Sequence, residues 1–209
     1  MKSTVQTVPT WADLVLIGGG HSHAIALKKL AMAPIPGVRL TLISDVVHTP
    51  YSGMLPGYVA GLYDYDQCHI DLRPLAQFAG ARLIVDRATG LDLEHNRVLC
   101  AHHPPIAFDW VSIDIGSTPS VTPVPGAADH TIPVKPISHF LQYWNAVVAQ
   151  VKAQVEAPVK GPVKDQKDQI AASLRIGVVG GGAAGVELAL AIQSRLQSIY
   201  REAERSPEG

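Results

Sequence analysis

The sequence predicts an α/β fold in which a parallel sheet carries a small β-meander insertion. A short, continuous apolar run at residues 14–17 leads through three glycines into a helix-forming stretch and then into a second apolar run at 38–43. This order is typical of a strand–helix–strand unit, whose parallel strands are buried on both faces. Residues 174–196 repeat the plan of apolar strand, glycine turn and long helix. Because 47% of the 209 residues are hydrophobic and 17% are charged, the chain can bury a core.

The first unit has helix signals between its two strands. Residues 23–33 contain helix-forming Ala, Leu and Lys, and Pro34 marks the end of the helix. The carboxyl ends of the two strands then lie at the sheet edge where ligands of such folds bind.

Short apolar runs separated by polar turns follow. We expect four of them to form an antiparallel meander, at residues 82–85, 90–93, 97–100 and 108–115. Residues 117–136 are rich in proline and threonine and predict an extended crossing segment. A helical pattern then covers residues 137–155.

A polar segment separates this region from the repeated plan. Residues 156–170 contain prolines, a glycine and alternating charges but almost no apolar side chains, so they cannot bury a face. They predict a linker. The resulting domains are an N-terminal domain at 1–155 and a second, incomplete domain at 171–209.

Charge and cysteine content exclude several classes of function. With 17 basic and 18 acidic residues, the formal net charge is −1, which offers no surplus to attract nucleic acid. Cys68 and Cys100 form neither a C-x-x-C pair nor half of a zinc pattern, and this usage fits a reducing compartment. The first apolar run is too short for a signal sequence or a membrane span. We therefore expect a cytoplasmic protein with no nucleic-acid partner.

The second glycine turn has the full spacing of a phosphate-binding turn. A pyrophosphate is attracted by the unpaired N–H groups and the positive dipole end of a helix start, and it must approach the backbone closely. The first glycine allows the tight turn, the second allows the phosphate contact, and the third lets the helix pack on the strand. Gly180, Gly182 and Gly185 stand at these three positions.

The first glycine turn is modified at its third position. Gly18 and Gly20 follow the strand as expected, but His23 replaces the third glycine. The imidazole either widens the spacing between helix and strand or points sideways and leaves the phosphate-facing glycines intact. A glycine-rich bend that binds no ligand is the alternative for both turns.

The histidines do not predict a metal site. His21 and His23 are two positions apart and do not share a helix face, and no nearby carboxylate or thiolate completes a ligand set. His102 and His103 are expected to be solvated or to contribute to packing.

Three motifs connect the chain to a known family: GGGHSH at 18–23, TPYSGMLPGYVAG at 49–61 and DIGSTP at 114–119. With its two glycine turns, the chain resembles the FAD-dependent pyridine nucleotide-disulfide oxidoreductases. The motifs are most similar to the branch that includes type II NADH dehydrogenases and the flavoprotein module fused to selenide, water dikinase. The resemblance implies a Rossmann-type FAD-binding domain, followed by the first βα unit of a second Rossmann-type domain that binds NAD(P).

The resemblance also implies which residues hold the adenine half of FAD. The pyrophosphate would be surrounded by Gly18, Gly19, Gly20, His21, Ser22 and His23. The family usually ends its second strand with an acid that binds the adenosine ribose. This chain has Ser44 at that position and Asp45 one residue later, so the ribose is assigned to both.

Two further segments would approach the flavin ring by the same resemblance. Ser52, Gly53 and Pro56 would run beside the isoalloxazine, and an ordinary Gly/Pro loop is the alternative. Gly116 keeps the glycine of the family's Ala-Thr-Gly motif, whereas residues 114–115 depart from it.

The second turn would bind the nicotinamide cofactor. The residues implied are Gly180, Gly182, Ala183 and Gly185. Glu187 matches a glutamate that the family often holds near the junction of flavin and nicotinamide, and it is the candidate catalytic residue. A solvated helix carboxylate is the alternative.

The function implied is that of an FAD-dependent NAD(P)H oxidoreductase, in which hydride passes from nicotinamide to flavin. Since the chain has no C-x-x-C, we expect a quinone or another non-thiol acceptor. The alternatives are a nucleotide-binding regulatory or partner module associated with selenophosphate synthesis, and a remnant that binds nothing. A homodimer, or a fusion to a selenide, water dikinase domain, would fit the resemblance.

The second domain is too short to be complete. Residues 175–209 suffice for one strand and one helix, whereas a dinucleotide domain needs several βα units. We therefore expect an N-terminal fragment of a longer protein, inactive by itself, whose full-length form could be peripheral to a membrane.

Overall fold

The structure of the chain, a computed structural model, describes residues 9–118, 124–156 and 174–205. It has two compact units, one formed by Met1–Tyr51 with His69–Ser117 and the other by Ser52–Cys68 with Thr118–Gly209. The predicted linker lies, from residue 157 onward, outside the described residues.

All strands of the described residues belong to the first unit. In chain order they are β1 Ala12–Ile17, β2 Val38–Ser44, β3 His48–Pro50, β4 His69–Asp71, β5 Arg82–Val85, β6 Ala88–Asp92, β7 Arg97–Cys100, β8 Ile106–Ala107 and β9 Trp110–Ile113. The described helices are α1 His21–Met32, α2 Leu55–Ala60, α3 Tyr65–Cys68, α4 Leu72–Phe78, α5 Ala127–His130, α6 Ile137–Glu156 and α7 Ala183–Arg205. None of these helices is long and apolar enough to cross a membrane.

The first unit is built on a parallel sheet with the strand order β5-β2-β1-β9. The central strand is β1, in which Leu14 lies opposite Leu40 of β2 and Trp110 of β9. The predicted strand–helix–strand opening is confirmed, with boundaries that differ by one or two residues. The α/β class with a parallel sheet is confirmed as well.

From Leu14 to Ile17 the strand β1 is apolar because both of its faces pack against the rest of the unit. Side chains alternate between the faces of a strand. Val15 and Ile17 pack with a cluster that includes Val98 and Phe108 of the meander side. Leu16 packs in a second cluster, which contains Leu27 of α1 and Leu72 of α4. This two-sided burial explains why an alternating polar pattern is absent from β1.

The predicted four-strand meander is wrong in its outer strands. Of the strands in residues 82–115, only β6, β7 and β8 pair as an antiparallel sheet. The run at 82–85 instead forms β5 and pairs with β2, where Ile84 lies opposite Ile43. The run at 108–115 contributes β9, which pairs with β1. A run of four residues carries no signal for the direction of its partner, whereas joining the parallel sheet buries Ile84 in the core.

The second unit is helical. The predicted helix at 137–155 is confirmed as α6, whose Ile137, Leu141 and Trp144 follow helical spacing and are buried. They pack with Leu188 of α7 and with the short helix α2. Apolar faces of these three helices therefore form one core.

Two local predictions in this unit are wrong. Residues 174–179 are not a strand, and the side chains of Ile176, Val178 and Val179 are exposed. A strand requires a neighbour that completes its hydrogen-bond ladder, and no described residues pair with this segment. The crossing segment at 117–136, predicted to be extended, contains the helix α5.

Candidate functional site: two glycine turns

The first glycine turn joins β1 to α1 and contacts two neighbouring strands. Gly18 has φ of +92°, a left-handed conformation that glycine adopts without a Cβ clash. Its N–H donates to the carbonyl of Ile43, near the end of β2, at 2.7 Å. A side chain at Gly18 would overlap the backbone carbonyl of Asp114, the residue that follows β9. Close packing of the protein's own backbone therefore requires glycine here.

The next two glycines are close to side chains of the protein. A Cβ at Gly19 would overlap the side chain of Leu72, and a Cβ at Gly20 would overlap the carboxylate of Asp114. Gly20 is the N-cap of α1 and has extended backbone angles. The GGG sequence thus lets Leu72 and Asp114 approach the turn.

His23 points sideways, across the turn toward β9. Its side chain is 3% exposed. Nδ1 lies 2.7 Å from the carbonyl oxygen of Gly18, and Nε2 lies 2.9 Å from the hydroxyl of Ser112 in β9. Because a carbonyl can only accept, Nδ1 carries the proton, and the Ser112 hydroxyl is the partner of Nε2. The imidazole therefore connects the turn to β9, and the residue implied as a pyrophosphate neighbour has both ring nitrogens bonded within the protein.

Some backbone amides at the start of α1 are hydrogen-bonded within the protein, and others are accessible to a ligand. The N–H of Gly20 donates to the carbonyl of Asp114 at 3.2 Å, and the N–H of His23 donates to the Asp114 carboxylate at 3.2 Å. First-turn N–H groups have no partner within the helix. His21 and Ser22 are exposed, and the His21 ring lies 4.5 Å from the ring of Tyr51. The part of the helix start that is open to a ligand is thus formed by His21 and Ser22.

The end of β2 presents one hydroxyl and one carboxylate. Ser44 is 3% exposed, and its hydroxyl donates to the carbonyl of Val46 at 2.8 Å. Asp45 is exposed, and its carboxylate lies 3.9 Å from Nε of Arg87. Ser44 is buried and its hydroxyl both donates to and accepts from the backbone of Val46, so the group at this edge that is accessible to a ribose is the exposed Asp45 carboxylate.

The residues implied beside the flavin lie in different units. Ser52 and Gly53 are exposed in a 3-10 turn of the second unit, and Pro56 is the second residue of α2. Gly116 belongs to the first unit, is exposed and has φ of +76°. The positive φ explains why glycine stands at position 116.

The second glycine turn is more open than the first. Gly180 has φ of +124°, and a Cβ at Gly182 would meet no described atom within 4 Å. At Gly185, in contrast, a Cβ would overlap the carbonyl of Gly180. The helix α7 starts at Ala183, and Glu187 is exposed in its first turns. The third glycine is therefore required by the turn itself, while the space beside the second is free.

A buried carboxylate near β5 has a structural role. Asp86 is 8% exposed and accepts N–H bonds from Arg87, His102 and His103 at 2.7–2.8 Å. The His102 ring nitrogen Nδ1 lies 3.1 Å from the same carboxylate. These hydrogen bonds, led by that of the His102 amide, hold the pKa of Asp86 well below its usual range. His102 and His103 thus bind this carboxylate mainly through their backbone.

Across the described residues, no group of three or more His, Cys, Asp or Glu side chains could hold a metal ion.

Sequence reasoning missed the parts of the first turn that come from distant segments. Leu72, Ser112 and the Asp114 carboxylate shape it, but no motif assigned them this role. The sequence feature that could have indicated this role is the position of Ser112 and Asp114 at the end of an apolar run, because that run could join the sheet beside the turn.

Comparison with known proteins identifies the family. The family model described as pyridine nucleotide-disulphide oxidoreductase matches residues 12–203. The chain belongs to this family. The expected membership is confirmed, and with it FAD and NAD(P)H as the cofactors of the family. No curated protein matches the chain.

Solved structures of this family's fold resemble the chain at low sequence identity. NDH2 from Plasmodium falciparum in complex with NADH has a TM-score of 0.66 and 18% identity, with 92% of this chain and 39% of that chain covered. The sulfide:quinone oxidoreductase from Aquifex aeolicus has a TM-score of 0.55 and 23% identity, with 66% of this chain and 32% of that chain covered. The water-forming NADH oxidase from Lactobacillus brevis has a TM-score of 0.55 and 17% identity, covering 88% and 38%. The chain thus spans between 32% and 39% of the length of these proteins.

Proposed function

We propose that the protein is an FAD-dependent NAD(P)H oxidoreductase, in which FAD binds at the first glycine turn and NAD(P)H at the second. When bound, FAD would take a hydride from the nicotinamide and pass its electrons to an acceptor that is not a disulfide. The observation that carries the proposal is the pair of glycine turns at residues 18–20 and 180–185, each leading into a helix within one family match.

The first turn fits the adenine half of FAD at two places. The amides of His21 and Ser22 start α1, where an anion is stabilised by the helix dipole. Asp45 is exposed at the carboxyl end of β2, and a carboxylate there can accept hydrogen bonds from both ribose hydroxyls. These side chains and amides would bind and orient the cofactor.

The second turn fits a second dinucleotide. Backbone at Gly181 and Gly182 is exposed, and a Cβ at either would meet no described atom within 4 Å. A phosphate can therefore approach the main chain at the start of α7. Glu187 is exposed on this helix and is the side chain that we assign to the nicotinamide side.

The cysteines support an acceptor other than a disulfide. Cys68 is 4% exposed, and burial raises the pKa of its thiol. Burial also raises the pKa of Cys100. A protonated thiol is a poor nucleophile in disulfide exchange, and the chain has no C-x-x-C pair. We propose a quinone as the acceptor, and the name of the sulfide:quinone oxidoreductase structure is consistent with this choice.

The test uses the purified full-length protein under anaerobic conditions. NADH or NADPH should bleach the absorbance of bound flavin, and a soluble quinone should restore it, whereas oxidised glutathione should not. A protein that is colourless and takes up no added FAD would contradict the cofactor assignment. Reoxidation by the disulfide but not by the quinone would contradict the acceptor.

A matched pair of glycine variants connects flavin retention to the first turn. Gly20→Val should lose bound flavin, because its Cβ would overlap the Asp114 carboxylate and its branches would reach the helix start. Gly90→Ala is the control, since a Cβ there meets only Leu99 at an ordinary 3.7 Å. Equal flavin content in the two purified variants would show that FAD does not bind at this turn.

A further inference from the structure

The first glycine turn contains an anion of its own. The Asp114 carboxylate accepts the N–H of His23 at 3.2 Å, and the Asp114 carbonyl accepts the N–H of Gly20 at 3.2 Å. The same carboxylate occupies the space where a Cβ of Gly20 would lie. Asp114, which follows β9, therefore contacts both ends of the first turn of α1.

Asp114 interacts with the same two features of a helix start that attract a phosphate, its N–H groups and the positive end of its dipole. Two of the N–H groups at the helix start are bonded to Asp114, and its negative charge offsets the positive end of the helix dipole. Glycine at position 20 leaves room for the carboxylate, which stands where close backbone approach by a ligand is expected in such turns. The Asp114 carboxylate and a diphosphate at the same helix start carry like charges and repel one another.

We infer that Asp114 is a positioning residue that holds the first turn in its folded form and lowers its affinity for a dinucleotide. The diphosphate then binds through the amides of His21 and Ser22 and shares the helix start with the carboxylate. This inference rests on the proposed binding of FAD at the first turn. The charge of residue 114 then determines how tightly FAD is bound.

The test is Asp114→Asn in the full-length protein. Asparagine keeps a side-chain oxygen for the His23 N–H but removes the charge. The dissociation constant of FAD, measured by quenching of flavin fluorescence, should fall about tenfold. The difference from the wild type should shrink at high salt, because the repulsion is screened. Asp114→Ser provides a second neutral variant, since serine also accepts from first-turn amides.

Asp109→Asn is the matched control. Asp109 lies before the other end of β9, is exposed and accepts the N–H of Asp13 at 2.6 Å. Asp109 carries the same charge as Asp114 but lies at the opposite end of β9 from the first glycine turn. Asp109→Asn should therefore leave the FAD affinity unchanged.

Each outcome bears on one of the two proposals. Equal or weaker FAD binding by both Asp114 variants, with binding by the wild type intact, would overturn the inference and leave the proposed function standing. The same tightening in Asp109→Asn would also overturn it, because a general charge effect would then explain the result. Absence of FAD binding in the wild type and in every variant would overturn both.

Discussion

Replacing His23 with alanine should destabilise the first unit by about 2–4 kcal/mol. The imidazole is 3% exposed and has hydrogen bonds to Gly18 and Ser112 at 2.7 and 2.9 Å. Each such bond contributes about 0.5–1.5 kcal/mol net, and the space left by the ring adds a cost for lost packing. The matched control is His21→Ala, because His21 is exposed, with its ring 4.5 Å from that of Tyr51. That change should cost no more than about 0.5 kcal/mol.

The measurement is urea unfolding of protein labelled with 5-fluorotryptophan and followed by ¹⁹F NMR. Trp11 and Trp110 belong to the first unit, where their rings lie edge to face with centroids 5.7 Å apart, so their signals report on this unit. With an m-value of about 2 kcal/mol per molar urea, the midpoint should fall by about 1–2 M in His23→Ala. If the two alanine variants lose the same stability, or if His23→Ala loses less than about 0.5 kcal/mol, the bonds to Gly18 and Ser112 do not stabilise the turn.

Three further outcomes are expected. Asp86 has a lowered pKa, so its stabilising contribution is present above its ordinary value of 3.8 and is lost as the pH falls below it. Asp86→Asn should therefore lower the melting temperature at neutral pH, and its difference from the wild type should narrow below about pH 4. Gly185→Ala, whose Cβ would overlap the carbonyl of Gly180, should weaken NADH binding at least about tenfold in a fluorescence titration, whereas Gly177→Ala should not. Trp144→Ala should destabilise the second unit by about 3–5 kcal/mol in urea unfolding followed by circular dichroism, and a loss below about 1 kcal/mol would contradict its place in the core.

The opening of the fold could be predicted from the sequence because its signals are local. The continuous apolar run of β1, the glycines after it and Pro34 after α1 each act on neighbouring residues. The helix α6 was predictable for the same reason, since Ile137, Leu141 and Trp144 repeat at helical spacing.

Two of the errors arise because the sequence does not show which segment a strand pairs with. The runs that became β5 and β9 were recognised as strands, but four residues do not indicate whether a strand pairs in parallel or antiparallel fashion. Residues 174–179 have the composition of a strand, yet composition cannot supply the neighbour that a strand requires. The bonds of His23 to Ser112 and Asp114 span separations of 89 and 91 residues, so no local pattern reveals them.

The long span of these bonds has a consequence for biosynthesis. Because His23 and Gly20 are bonded to residues that leave the ribosome about ninety positions later, β1, α1 and β2 are synthesised well before the hydrogen bonds of the first glycine turn can be completed. A chain halted before β9 is made would therefore lack the Ser112 and Asp114 partners of this helix start. Translation through Asp114 is the step that supplies the acceptors for the N–H groups of Gly20 and His23.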